Sequence, residues 1–158
     1  MTVEPYFHIG VVVPDLTKAM TEFSRVLGMT FAEPGRNTVP WLSDPDPHPQ
    51  DVHVTYSMDG PPYYELIEAN GDGIFSARAE RSHLHLGFWE ADMEGRMRTL
   101  AAQGIGLDAV ARAQPGAVPD WIITRPDVLG IRLEYVSTLD RPGIERWVQT
   151  GIFGGLQG

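Results

Sequence analysis

The sequence predicts an α+β fold built from two βαβββ modules, and three observations carry that prediction. One phrase occurs twice: Phe7-His8-Ile9-Gly10 with Pro14-Asp15-Leu16 behind it, and Leu84-His85-Leu86-Gly87 with Ala91-Asp92-Met93 behind it. Each copy runs on into a stretch of helical spacing that stops at a glycine, Gly28 or Gly104. Each then reaches a strand-like run with a carboxylate inside it, Tyr63-Tyr64-Glu65-Leu66-Ile67 or Arg132-Leu133-Glu134-Tyr135-Val136. The copies are offset by 77 residues at His8/His85 and by 69 at Glu65/Glu134, so the second has shorter loops. A period of this size marks a duplicated supersecondary unit, because solenoid repeats run to about 20–50 residues.

The first module spans 1–70. Residues 6–13 alternate and end β-branched, which predicts a strand. Pro14-Asp15 punctuates, with Asp15 placed to cap a helix. Leu16, Met20, Phe23 and Leu27 recur at helical spacing, and Gly28 supplies a left-handed stop. A short strand is expected at 29–31. The Pro- and Asp-rich stretch 32–51 reads as a long loop, and such loops serve as lids or binding segments. Residues 52–58 alternate, with Val52, Val54, Tyr56 and Met58 on one face and His53, Thr55 and Ser57 on the other. Asp59-Gly60 is a turn signal, and 63–68 is the returning strand.

A linker over 70–82 leads to the second module, which spans 80–137. A strand is expected at 83–89. Asp92 caps a helix with Met93, Met97, Leu100 and Ala101 on its apolar face, and Gly104 stops it. Three strands follow at 105–111, 120–124 and 131–136, the last after a turn at 125–130. Residues 138–158 form a C-terminal extension with a short helix around 144–148.

The chain has 158 residues, 42% of them hydrophobic, enough for an ordinary core. Twelve basic and 21 acidic side chains give a formal charge of −9, which argues against a nucleic-acid partner. No apolar run approaches a membrane span and no secretory signal is visible, so a cytoplasmic protein acting on a small molecule is expected. Cysteine is absent. Disulfides, thiolate nucleophiles and Cys-rich zinc sites are thereby excluded, and a metal site has to use His and carboxylate.

Alternate side chains of a strand share a face. His8 and His85 sit on the first strands of the two modules, Glu65 and Glu134 on the last. If those strands pair within and between modules, all four side chains converge. Two imidazoles and two carboxylates suit Zn, Ni, Co, Mn or Fe as divalent ions. A lone His or Glu in a strand is usually a satisfied core residue or a solvent-facing one. The matched placement across two halves is what singles these four out. Weaker candidates for substrate contact are His53, on the polar face of its strand, His83, two residues before His85, and Trp41 in the long loop. Tyr63 and Trp89 read as cavity wall or as ordinary core.

These motifs, with the closing run Arg125-Pro126-Asp127-Val128-Leu129-Gly130-Ile131-Arg132-Leu133-Glu134-Tyr135-Val136, resemble the vicinal oxygen chelate superfamily, also called the glyoxalase/bleomycin-resistance/dioxygenase superfamily. The likeness covers about residues 5–137. It implies a cupped, incompletely closed mixed β-sheet barrel around a divalent metal held by His8, Glu65, His85 and Glu134. The His-Glu-His-Glu order is similar to bacterial glyoxalase I, and the length and helix pattern to methylmalonyl-CoA epimerases. The implied chemistry is that of a lyase, isomerase or epimerase, in which the metal polarises two adjacent substrate oxygens and Glu65 or Glu134 is the base. The alternatives are an extradiol-type Fe(II) dioxygenase using His85, Glu134 and a second His, and an antibiotic-binding protein without catalysis. Modules in this superfamily pair within a chain or across a dimer, and a homodimer is expected.

Overall fold

The computed structural model describes residues 5–77 and 84–156. The order β-α-β-β-β occurs twice. The first run is β1 (His8–Val13), α1 (Leu16–Leu27), β2 (Gly35–Ser43), β3 (Pro47–Tyr56) and β4 (Tyr63–Glu68). The second is β5 (His85–Glu90), α2 (Met93–Ala102), β6 (Leu107–Arg112), β7 (Trp121–Thr124) and β8 (Arg132–Ser137), with α3 (Arg141–Thr150) behind it. None of these helices is long and apolar enough to cross a membrane.

The first and last strands of each half lie side by side and parallel, β1 on β4 and β5 on β8. Two antiparallel seams join the halves, β1–β5 and β2–β6. The resulting ring, β1-β4-β3-β2-β6-β7-β8-β5, is closed. The class and the paired halves are as expected, but the gap expected in the barrel is absent. The reason is the stretch 32–51. It is not a loop: it forms β2 and the first half of β3, a long hairpin whose register runs from Gly35↔Val54 to Ser43↔Pro47. Its prolines sit where a strand tolerates them, at the end of β3 and at a register shift between Val39 and Leu42 that contains Pro40. With β2 in place, its far end pairs with β6 and completes the ring.

The helices α1 and α2 cover the outside. Leu16 of α1 packs with Val13 and Leu66, and Phe23 meets Phe31 and Tyr64. Met93 and Leu100 of α2 pack with Ile122 and Tyr135. The alternate residues of the strands, among them Val52, Val54, Ile67, Ala111, Ile123 and Val136, fill the interior. Ile144, Trp147 and Val148 of α3 join that interior cluster, so the C-terminal extension is part of the core.

The start of α1 gives a simple check on this reading. Asp15 is its N-cap and accepts from Lys18 N at 2.9 Å, and Gly28 ends it at φ +70°. Asp15→Ala is expected to cost about 1 kcal/mol in denaturant unfolding, with the metal affinity of the protein unchanged.

Candidate metal centre

The two seams of the barrel explain the repeated His-x-Gly phrase. In the β1–β5 ladder His8 stands opposite Gly87, and Gly10 opposite His85. All four face inward. The His8 ring therefore lies over Gly87 and the His85 ring over Gly10, and a Cβ on either glycine would fall within the facing imidazole. The parallel pairs add the carboxylates: Glu65 stands opposite Gly10, and Glu134 opposite Gly87. Each half thus contributes one imidazole, one carboxylate and the bare backbone that the other half's imidazole needs.

All four side chains are buried, and one ligand atom from each lies within 4.8 Å of the others. His8 Nε2 is 2.8 Å from Glu134 Oε2, 3.2 Å from Glu65 Oε2 and 3.2 Å from His85 Nε2. His85 Nε2 is 3.1 Å from Glu134 Oε2. All four side chains come from one chain.

The donors fit a shared divalent ion. Ligand atoms about 2.1 Å from one ion and at right angles to each other are about 3.0 Å apart, close to the separations seen. Glu134 Oε2 is buried between two imidazoles, yet no neighbour meets it with hydrogen-bond geometry. A buried oxygen held by two imidazoles without hydrogen-bond geometry is one that a cation placed among the three would satisfy better. The donor set, two nitrogens and two oxygens without sulfur, suits Zn, Ni, Co, Mn or Fe.

The electrostatics of the metal-free centre are uneven. Burial pushes the Glu134 carboxyl up, but the imidazoles of His85 and His8 outweigh it and take it down to about 2. Burial raises Glu65, with the His8 imidazole only partly opposing. His85 is disfavoured as a cation by burial, yet Glu134 and Glu65 raise it above its ordinary value.

Tyr56 is a site residue that the sequence reading did not single out. It faces inward from β3 opposite Glu65 and donates its hydroxyl to Glu65 Oε2 at 2.5 Å. Burial and the charge of Glu65 push its own ionisation well above the ordinary tyrosine value, so it stays a donor. The signal was present: Tyr56 and Glu65 bracket the Asp59-Gly60 turn, on paired strands.

Two weaker expectations are corrected. His53 is on the outer face of β3, where Nδ1 lies 3.3 Å from Glu68 Oε1; Glu68 in turn accepts from Leu16 N at the start of α1. The inward face is the apolar one, Val52, Val54 and Tyr56. Trp41 follows the register shift in β2, so Leu42 takes the interior position and Trp41 does not line the cavity at Glu65 and Glu134. His83 lies outside the described residues. Tyr63 and Trp89 pack against the interior cluster, Trp89 stacked on Phe7 at 3.8 Å.

Glu65 and Glu134 open on an inner cavity of about 60 Å³, which shares Asn37, Val39, Trp121, Asp140 and Leu156 with an outer cleft of about 320 Å³. The centre is therefore approached from the side of β2, β7 and the C-terminal tail.

Comparison with known proteins agrees with this architecture. Residues 7–123 match the family model described as the Glyoxalase/Bleomycin resistance protein/Dioxygenase superfamily. Nothing among curated proteins matches the sequence. Among solved structures, the chain is similar to a hypothetical protein from Bacillus halodurans, at 15% identity and TM-score 0.58 over 84% of this chain and 92% of that one. It is similar to methylmalonyl-CoA epimerase from Mycobacterium tuberculosis, at 17% identity and TM-score 0.55 over 87% and 92%. It is similar as well to a variant of Streptomyces coelicolor methylmalonyl-CoA epimerase in complex with 2-nitronate-propionyl-CoA, at 17% identity and TM-score 0.57 over 86% and 98%. At these identities the likeness is one of fold. With the family model spanning most of the chain, this protein belongs to the glyoxalase/bleomycin resistance/dioxygenase superfamily.

Proposed function

We propose that the chain is a divalent-metal-dependent lyase, isomerase or epimerase that acts on a small substrate with two adjacent oxygens, with His8, Glu65, His85 and Glu134 holding the metal. The observation that carries this reading is the convergence of four buried ligand atoms within 4.8 Å, two of them belonging to carboxylates that open on a cavity. The chemistry a bound divalent cation supplies is Lewis acidity toward the adjacent oxygens, which acidifies the neighbouring C–H.

The residues divide the remaining work. Glu134 Oε2 is enclosed between the imidazoles of His8 and His85, which suits a fixed ligand. Glu65 touches only His8 on that side and has an alternative partner in the Tyr56 hydroxyl, which suits a carboxylate that loosens and takes the proton. In that step Glu65 would receive the proton, the C–H electron pair would form the C=C bond as the C=O π pair moves onto the carbonyl oxygen, and Glu65 would return the proton either to the neighbouring carbon, with a proton passed between the two oxygens (isomerisation), or to the same carbon once it has turned its other face to Glu65 (epimerisation). The apolar wall of Val52, Val54 and Ile67 keeps water away from the enediolate.

The test is metal content after purification, followed by proton–deuterium exchange on 2-hydroxyketones and acyl-CoA thioesters. One metal per chain and catalysed exchange are expected. Glu65→Gln should retain metal and slow exchange by about 10²–10⁴-fold, whereas Glu134→Ala should lose the metal. No stoichiometric metal under any loading condition would sink the reading. Iron with catechol cleavage and no exchange would replace it with the dioxygenase.

A further inference from the structure

The inner cavity is small. Its 60 Å³ is about the liquid volume of two waters. The repeat provides most of its wall, but one side comes from outside the repeat: Ile144 and Trp147 of α3, with Leu156 of the tail. Trp147 is 1% exposed. Its indole stands edge-on to the Tyr56 ring at 5.3 Å, and Tyr56 holds Glu65. The indole is thus one aromatic ring away from the carboxylate we assign as base.

The indole is also fixed. Trp147 Nε1 donates to Glu33 O at 2.8 Å, and Glu33 N donates to Gly151 O at 2.8 Å. One residue ahead of β2 therefore holds both the middle and the end of α3. Gly143 has no room for a Cβ against the Leu156 backbone, and the Phe153 ring rests on Gly35. At the other end the Arg141 guanidinium lies 5.6 Å over the Trp89 ring. The helix is tied at its start, its middle and its end, so the wall it presents is rigid. The outer cleft is about five times larger than the inner cavity, so size is restricted at the inner end alone.

We propose that Trp147 determines specificity by size, confining the inner end of the substrate to a compact group and excluding a ring beside the two adjacent oxygens. This rests on the metal-centre reading for what the cavity binds, while the size limit itself rests on the wall. The probes are acetohydroxamate and benzohydroxamate, which present the same pair of oxygens on a methyl or a phenyl group.

With the Co(II)-loaded protein in calorimetry, acetohydroxamate is expected to bind at least about tenfold tighter than benzohydroxamate. Trp147→Val should erase or reverse that preference, and Ile144→Ala, a smaller change in the same wall, should reduce it. A second arm needs no metal. Benzene should raise the Tm of metal-free Trp147→Val or Ile144→Ala and leave that of the wild type unchanged. A folded, metal-loaded Trp147→Val whose preference stays within about twofold of wild type overturns the proposal. If the loaded wild type binds neither hydroxamate, the chelation reading fails. The size limit is then decided by benzene, and no Tm rise in either variant overturns it.

Discussion

Gly87→Ala is expected to weaken metal binding by about 10–100-fold although residue 87 supplies no ligand atom. The argument is one of register. Gly87 stands opposite His8, and the His8 imidazole occupies the space that a Cβ would fill. The ring cannot simply retreat. Phe7 N donates to Gly87 O at 2.8 Å, which fixes the strands at that point. The Phe7 ring meets His8 edge-on at 4.4 Å and the Tyr56 ring meets it at 5.8 Å. The imidazole has to turn off its axis, and Nε2 leaves the centre it shares with Glu65, His85 and Glu134. Overpacking of this kind also costs about 1–3 kcal/mol of stability. Gly10→Ala should do the same to His85. Gly154→Ala, where a Cβ meets nothing within 4 Å, serves as the control and should bind metal normally. Competition with a chromophoric chelator measures all three. Wild-type affinity in a folded Gly87→Ala would show that the imidazole does not depend on that space.

The same register explains why the centre was legible in the sequence. A site built by duplication writes its candidate ligands twice: the repeat singled out His8/His85 and Glu65/Glu134, and the strand pairing brings them together. The glycines were read as part of the phrase, but their purpose was not. Nothing in a single strand says that its glycine serves the neighbouring strand's side chain. That relation exists only once β1 and β5 pair. His53 shows the opposite error. The polar face of β3 was read as a weaker candidate for substrate contact, beside a solvent-facing reading. Here the inward positions of β3 nearest the centre are Val52, Val54 and Tyr56, and its polar face lies outside, where Thr55 Oγ1 donates to Ala32 O and His53 meets Glu68.

The stretch 32–51 was misjudged for a related reason. Proline-rich sequence suggested a loop, because proline removes ladder donors. β2 and β3 place those prolines at a register shift and a strand end, and a hairpin survives. The tail lies beyond the repeat, so no internal comparison could show that Trp147 fills the interior. Its partners, Glu33 O and the Tyr56 ring, are more than 90 positions away. The sequence reading placed a short helix around 144–148, within α3 as observed, but did not say what it covers.

The largest pH effect should come from the centre itself, with opposite signs in the metal-free and metal-loaded protein. Consider the metal-free protein first. His85 is raised above 6.5, so its contribution is full below pH 6.5 and is lost as pH rises through its folded value. Glu65, raised above 4.5 by burial, has the same sign: the fold holds its proton longer than the unfolded chain does, and stability falls as pH climbs above 4.5. Glu134 runs the other way. Lowered from 4.5 to about 2, its contribution is present above 4.5 and is lost as pH falls through about 2. At about 1.4 kcal/mol per pH unit, that is roughly 3 kcal/mol, shared with the imidazoles that cause it. The metal-free centre therefore favours folding most near pH 4.5, and loses stability above it first through Glu65 and then, above 6.5, through His85 as well.

A bound metal needs neutral imidazoles and ionised carboxylates, so binding expels the protons that Glu65 and His85 retain. The stabilisation conferred by metal should rise with pH between 5 and 8, by up to about 1.4 kcal/mol per pH unit for each proton released. Thermal unfolding with and without saturating Zn(II) or Ni(II) at several pH values reads this directly. The difference in Tm should widen steadily toward pH 8, and Glu65→Gln, which has no proton to release at that position, should flatten the slope. A metal-induced shift that is the same at pH 5 and pH 8 would mean that the four side chains are already in their ligating states without the ion. The buried carboxylate oxygen between His8 and His85 would then need another explanation.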